Sequence, residues 1–217
     1  MTLKELRSRY RTDKSDEYLD RYEPYFRPFA DLPIVFLEIG VFQGESLRLW
    51  QDYFPAATII GLDQSIPPSF RTANPRLVLY EGLQDDHDLL DSVVAAHAPD
   101  GLDIVIDDAS HVATPTRSAF WHIFERHLKP GGIYAIEDWG TGYWPSWPDG
   151  AAYSGPGHTD GMVGLAKELL DECGWADVSH PQRGCGISRT SRFASMLVGH
   201  GQLIVEKRLA SEGERRP

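Results

Sequence analysis

Five short apolar runs, each closing on a glycine, a carboxylate or a residue next to one, recur along the chain with helix-like stretches between them. The first covers residues 34–40, is bounded by Pro33, and ends in Glu38-Ile39-Gly40. A continuous apolar run of this length, without polar alternation, describes a strand covered on both faces, as in a parallel sheet. Runs at 58–63, 76–80, 102–107 and 133–136 repeat the pattern. Residues 45–53, 86–97 and 116–128 between them carry apolar side chains at three- and four-residue spacing, which predicts helices. The last of these ends at Pro130-Gly131-Gly132. A further helix is predicted at 162–173, and strands at 193–198 and 202–206 meet at His200-Gly201 as a hairpin. Strands alternating with helices imply an α/β, Rossmann-like doubly wound fold with helices on both faces. The expected sheet has seven strands, mostly parallel, with an antiparallel terminal hairpin.

Residues 1–30 read as an N-terminal helical segment broken at Thr12-Asp13-Lys14, with Ser15 or Asp16 capping its second half. The 217 residues suit one domain, 1–210, followed by a charged tail at 211–217 expected to be disordered. The 32 acidic against 21 basic residues give a net charge of −11. That disfavours a nucleic-acid partner, whose affinity comes largely from a basic face; Arg183, Arg189 and Arg192 form the single basic cluster in the folded part. No apolar run is long enough to span a bilayer and no signal peptide is visible. Two cysteines, Cys173 and Cys185, lack zinc-site spacing. A reduced, cytoplasmic protein with no membrane partner is expected, working as a homo-oligomer, a dimer or higher.

In an open α/β sheet, ligands bind outside the carboxyl ends of the strands. The first strand leads into Gly40-Val41-Phe42-Gln43-Gly44-Glu45-Ser46. Two glycines four apart allow a sharp turn and close backbone approach, and the following helix start offers free N–H groups. Asp63 ends the second strand, placed to grip a ribose diol. A dinucleotide enzyme would use the same layout. Its fingerprint, however, needs a third glycine, and Glu38 would repel a pyrophosphate. The cationic S-adenosylmethionine tolerates that acid better, so the expected cofactor pocket comprises Glu38, Gly40, Val41, Gly44, Ser46, Asp63, Gln64 and Asp107.

The fourth strand ends in Asp107-Asp108-Ala109-Ser110-His111 and the fifth in Glu137-Asp138-Trp139. Four carboxylates on one rim repel one another unless a cation sits among them, and oxygen donors suit Mg²⁺ or Mn²⁺ rather than zinc. A structural reading, with Asp107 and Glu137 only as caps or acceptors for backbone N–H groups, is the weaker alternative. His111, beside such a cation, fits a general base. The loop at 139–160 adds Trp139, Tyr143, Trp144, Trp147 and Tyr153, rings suited either to stack on a sugar or polyketide or to pack on the sheet. His158 reads as a solvated loop histidine.

Together, Thr12-Asp13-Lys14 with Tyr18 and Tyr22-Glu23, Leu37-Glu38-Ile39-Gly40-Val41, Ile106-Asp107-Asp108-Ala109-Ser110-His111 and Ile136-Glu137-Asp138 with Tyr143-Trp144 resemble the metal-dependent sugar O-methyltransferases of the macrocin and mycinamicin type. The resemblance runs from Thr12 to Lys207. It implies a class I methyltransferase fold, S-adenosylmethionine with Mg²⁺ or Mn²⁺, Gln84 on the adenine side of that cofactor, metal ligands at Asp108, Glu137 and Asp138, and a histidine base at His111, with Asp108 in the catalytic set. Trp139, Tyr143 and Trp144 are the implied substrate contacts. The implied acceptor is a sugar hydroxyl of a glycosylated small molecule or an oligosaccharide, methylmannose polysaccharides included. Three departures stand out: Leu83 replaces an Asp in Gly82-Leu83-Gln84-Asp85-Asp86, Ala109 replaces a Gly, and Ser15-Asp16-Glu17 lacks the histidine that follows the Thr-Asp-Lys motif. The extra N-terminal domain of larger members is also expected to be missing. Two other readings remain beside this one: a methyltransferase for a phenol or catechol, and a non-methylating protein that keeps the fold for hydroxylation or partner binding.

Overall fold

The computed structural model describes residues 1–70, 74–178, 180 and 189–209. Arg183, Cys185 and the tail at 211–217 therefore lie outside the described residues. The chain divides into two compact units, residues 1–110 and 111–217, taken separately below.

The first unit opens with α1 (Leu3–Arg7) and α2 (Asp16–Phe26). The Thr2 hydroxyl and the Glu5 carboxylate cap α1 reciprocally, and Ser15 Oγ accepts the Tyr18 N–H to start α2, as its sequence position suggests. There follow β1 (Val35–Ile39), α3 (Glu45–Tyr53), β2 (Thr58–Asp63), β3 (Leu77–Glu81), α4 (His87–His97) and β4 (Leu102–Asp107). The strands are parallel and ordered β3-β2-β1-β4. The chain runs outward from β1 through β2 to β3, then returns to place β4 on the other side of β1. The turn of direction lies between β1 and β4, where such sheets take their ligands.

Helix α3 is held against β1 by rings. Tyr22, Phe26, Phe36, Trp50 and Phe54 are all fully buried. Tyr22 stacks on Phe26 at 4.6 Å, and Phe36 lies 5.4 Å from Trp50. Each such pair contributes about 0.5–1.5 kcal/mol beyond its buried area. The N-terminal helices are thus part of the first unit's core. At the rim, Gly40 has φ +98°, and a Cβ there would overlap the Asp108 carbonyl and stand 2.9 Å from Ala109 N.

The second unit contains α5 (Ala113–Arg126), β5 (Leu128–Glu137), α6 (Gly161–Cys173), α7 (Trp175–Val178), β6 (Phe193–Gly199) and β7 (Gln202–Lys207). β7 pairs antiparallel with both β5 and β6, which confirms the hairpin; Gly201, at φ +68°, makes its two-residue turn. Strand β5 begins at Leu128, five residues before the predicted start. The segment read as a helix stop continues as extended chain, with Gly131 at φ +78° and the Leu128 carbonyl held by Lys207 Nζ at 2.7 Å. Phe120, Phe124, Tyr134 and Phe193 are buried between α5 and the strands. Glu172, 4% exposed, accepts Arg189 Nη1 at 2.8 Å and Arg192 Nη2 at 2.9 Å.

Two outcomes follow. Gly40→Ala forces a side chain into a left-handed backbone and against a carbonyl, and should lower unfolding stability by about 2–5 kcal/mol in urea titration. Burial pushes the Glu172 carboxyl up, but the hydrogen bonds from Arg189 and Arg192 outweigh it and hold the group down at about 2. Its unfolded value is near the ordinary carboxyl value of 4.5. A depressed carboxyl stabilises the fold above its unfolded pKa and loses that contribution as pH falls toward the folded one. The urea midpoint should therefore drop as pH falls from about 4.5 to about 2, and Glu172→Gln, about 1.5–3 kcal/mol less stable at neutral pH, should flatten that part of the profile.

Candidate functional site

The first unit holds all the residues expected to bind a cofactor. After β1 the chain turns through Gly40, Val41, Phe42 and Gly44 before α3 begins. Gly44, at φ +78°, precedes α3, and a Cβ there would run into the Phe70 ring. Asp63, at the end of β2, accepts the N–H groups of Val41 at 2.7 Å and Phe42 at 3.1 Å on Oδ2, and that of Ser65 at 3.1 Å on Oδ1. The aspartate read as a ribose ligand thus also fixes the shape of the glycine turn. Gln64 beside it is exposed, and Val41 is 1% exposed.

Gln84 and Asp107 come together as buried partners. The Gln84 amide donates to both Asp107 oxygens at 3.2 Å, and its Oε1 accepts the Ser110 N–H at 3.1 Å. Glu38 is fully buried. Its Oε2 accepts from Ser46 Oγ at 2.9 Å and Trp50 Nε1 at 3.1 Å, and its Oε1 stands 3.1 Å from the Lys14 ammonium. Burial pushes this carboxyl above its ordinary value; the Lys14 charge and the Ser46 hydroxyl pull the other way. The same ammonium donates to Asp108 Oδ2 at 2.8 Å. Lys14 is a residue at these strand ends that sequence reasoning did not place there. The one signal for it was its place in the Thr12-Asp13-Lys14 motif, which says nothing about which strand ends it reaches.

In the second unit, His111 and Asp138 face one another, with Nε2 and Oδ2 4.0 Å apart. His111 is 17% exposed and Asp138 45%. Thr141 Oγ1 donates to the His111 carbonyl at 3.1 Å, and the imidazole lies 6.1 Å from the Trp147 ring. Glu137, at the end of β5, is buried. Trp139 Nε1 donates to the Gly199 carbonyl, so its polar edge is tied to the hairpin, whereas Tyr143 and Trp144 are 40% and 51% exposed. The loop at 139–160 is organised by Asp149, whose Oδ2 accepts the N–H groups of Ala113 and Met162 at the starts of α5 and α6. His158 is 7% exposed and is held by Ser154 Oγ and the Tyr153 ring, so it is packed into the loop rather than solvated.

Among the described residues, three non-glycine residues have positive φ: Phe42 at 47°, His111 at 52° and Asp138 at 53°. Each such residue costs about 1–3 kcal/mol and survives where its surroundings force it, often at ligand sites. All three fall on turns that follow a strand at its carboxyl end.

No family model matches the chain. Among curated proteins, it is 34% identical to the mycinamicin VI 2''-O-methyltransferase of Micromonospora griseorubida over 97% of its own length and 54% of that protein's. It is 36% identical to the 8-demethyl-8-alpha-L-rhamnosyl tetracenomycin-C 2'-O-methyltransferase of Streptomyces olivaceus, over 89% of its own length and 51% of the relative's. The chain therefore spans about half the length of the curated relatives it matches. Among solved structures, the MycE methyltransferase of the mycinamycin biosynthetic pathway, in complex with Mg, SAH and mycinamycin VI, superposes with a TM-score of 0.80 at 32% identity. That match covers 98% of this chain and 55% of the other. On these matches and on the strands, turns and acidic rim described above, the chain is similar over nearly its whole length to the mycinamicin and macrocin O-methyltransferases and has the class I fold of seven mostly parallel strands with an antiparallel terminal hairpin.

Proposed function

We propose that the chain transfers a methyl group from S-adenosylmethionine to a sugar hydroxyl of a glycosylated small molecule or oligosaccharide, with a divalent cation, Mg²⁺ or Mn²⁺, orienting the acceptor. The observation that carries this reading is the pair His111 and Asp138, two strained residues whose imidazole and carboxylate face each other 4.0 Å apart. The similarity to known proteins supports it: relatives are named as O-methyltransferases of mycinamicin VI and of a rhamnosyl tetracenomycin-C, and a matched structure holds Mg, SAH and mycinamycin VI.

The residues suit both groups. For the cofactor, Gly40 and Gly44 leave no room for side chains of their own, Asp63 holds the turn amides, and Gln84 with Asp107 closes the neighbouring strand ends. Gln64, Val41, Ser46 and Glu38 complete the assignment on the same strand ends. For the cation, Asp108, Glu137 and Asp138 offer the oxygen donors that hard divalent ions prefer. A bound cation would supply Lewis acidity that lowers the pKa of the attacking hydroxyl. His111 Nε2 would take the proton from that hydroxyl as the methyl leaves sulfur with inversion, while Asp138 steadies the ring. The exposed Tyr143 and Trp144 would cover the sugar, with Trp139 anchoring their loop. We further propose that residues 1–210 act as one cytoplasmic methyltransferase domain, assembling as a dimer or larger homo-oligomer. Among the described residues, no helix is long and apolar enough to cross a membrane.

His111→Ala should lower turnover by about 10² to 10⁴ while leaving S-adenosylhomocysteine affinity, read by isothermal titration, unchanged. A variant that turns over like the wild type would reject His111 as base. Exhaustive EDTA treatment should abolish transfer and added Mg²⁺ should restore it; full activity after chelation overturns the cation assignment. A panel of glycosides and catechols, scored by mass spectrometry for the gain of one CH₂ unit, should show methylation among the glycosides alone.

A further inference from the structure

Lys14 is the most deeply buried ammonium described in the first unit, and the reaction sketched above gives it no role. Its side chain is 1% exposed. The backbone around it is pinned from both sides: Arg7 Nε donates to the Lys14 carbonyl at 2.7 Å, and the Lys14 N–H lies 3.3 Å from Thr12 Oγ1. The ammonium then reaches two carboxylates far apart in sequence, Glu38 at 3.1 Å and Asp108 at 2.8 Å. Burying an ammonium is costly unless it is paired, and here it is paired twice.

The two partners differ. Glu38 is fully buried, and its other oxygen is taken by Ser46 and Trp50. Asp108 is 19% exposed and follows the last residue of β4. As an ion pair, Lys14 and Glu38 carry no net charge, so together they bring little repulsion to a cation nearby. What they bring to Asp108 is direction: a charge-assisted hydrogen bond on Oδ2 that fixes the rotation of its carboxylate.

We infer that Lys14 is a positioning residue, whose Glu38-neutralised ammonium sets the orientation in which Asp108 meets the acceptor-orienting cation. This rests on the cation reading proposed above. It also gives the Thr12-Asp13-Lys14 segment a task, since the hydrogen bonds of Arg7 and Thr12 hold the lysine where the ends of β1 and β4 meet. Partners that orient a metal ligand typically contribute about 10- to 100-fold in metal affinity.

The test measures Mn²⁺ binding by electron paramagnetic resonance on the full chain loaded with S-adenosylhomocysteine. Lys14→Met, nearly isosteric but uncharged, should bind Mn²⁺ about 10- to 100-fold more weakly than the wild type, with an altered bound-ion spectrum and S-adenosylhomocysteine affinity retained. Lys14→Ala should show the same defect, and added ethylammonium, but not ethanol, should reverse it by restoring the missing charge. If Lys14→Met does not unfold cooperatively, Lys14→Ala folded with ethylammonium carries the comparison, and Mn²⁺ affinity should fall when the amine is dialysed away. Wild-type Mn²⁺ affinity and spectrum in folded Lys14→Met, equal rescue by ethanol, or Mn²⁺ binding indifferent to amine removal would each overturn the inference. A wild-type protein that takes up no Mn²⁺ at all fails the underlying cation reading instead, and this inference with it.

Discussion

Gly40 approaches the backbone of Asp108 and Ala109 so closely that no side chain fits between them. The contact joins the ends of β1 and β4 where the strand order reverses, and much of the first unit's chemistry follows from it. With its N–H bonded to the Leu62 carbonyl at 2.8 Å, Gly40 leaves the sheet in a conformation that favours glycine and turns the next amides toward Asp63. The same closeness brings Glu38 and Asp108 within reach of one ammonium. A bulkier turn would separate them and leave a buried carboxylate unpaired, a costlier state than any single lost contact.

Buried charge recurs in both units, and in each it is answered by several donors. Glu38 takes Ser46, Trp50 and Lys14; Glu172 takes Arg189 and Arg192. Asp149 and Asp63 do related work on backbone groups, one holding the first N–H groups of two helices and the other holding a ligand turn. Carboxylates in this chain therefore divide by what they accept from. Some are spent on the protein's own N–H groups and cations, while Asp138 stands 45% exposed beside a histidine.

The strain is placed accordingly. Phe42, His111 and Asp138 are the described non-glycine residues held at positive φ, and each follows a strand end. Backbone held in an uncommon conformation by its surroundings keeps side chains pointed without help from a ligand, which suits groups that must be in place before a substrate arrives.

The sequence alone determined the order and kind of elements. The bounds of α3, β2 and β4 were readable to the residue, because Gly44, the continuous apolar runs and the terminal carboxylates are local signals that no distant contact overrides. The acidic strand ends and His111 were legible for the same reason, since a parallel sheet collects whatever follows its strands. The start of β5 was misjudged because Pro130 and Gly131 look like a stop, while the Lys207 bond to the Leu128 carbonyl belongs to the tertiary structure. His158 looked solvated because its partners lie in its own loop, which only folds around Asp149. The part played by Lys14 was decided by tertiary structure alone: two carboxylates 24 and 94 residues away share its charge, and desolvation makes that sharing obligatory once all three are enclosed.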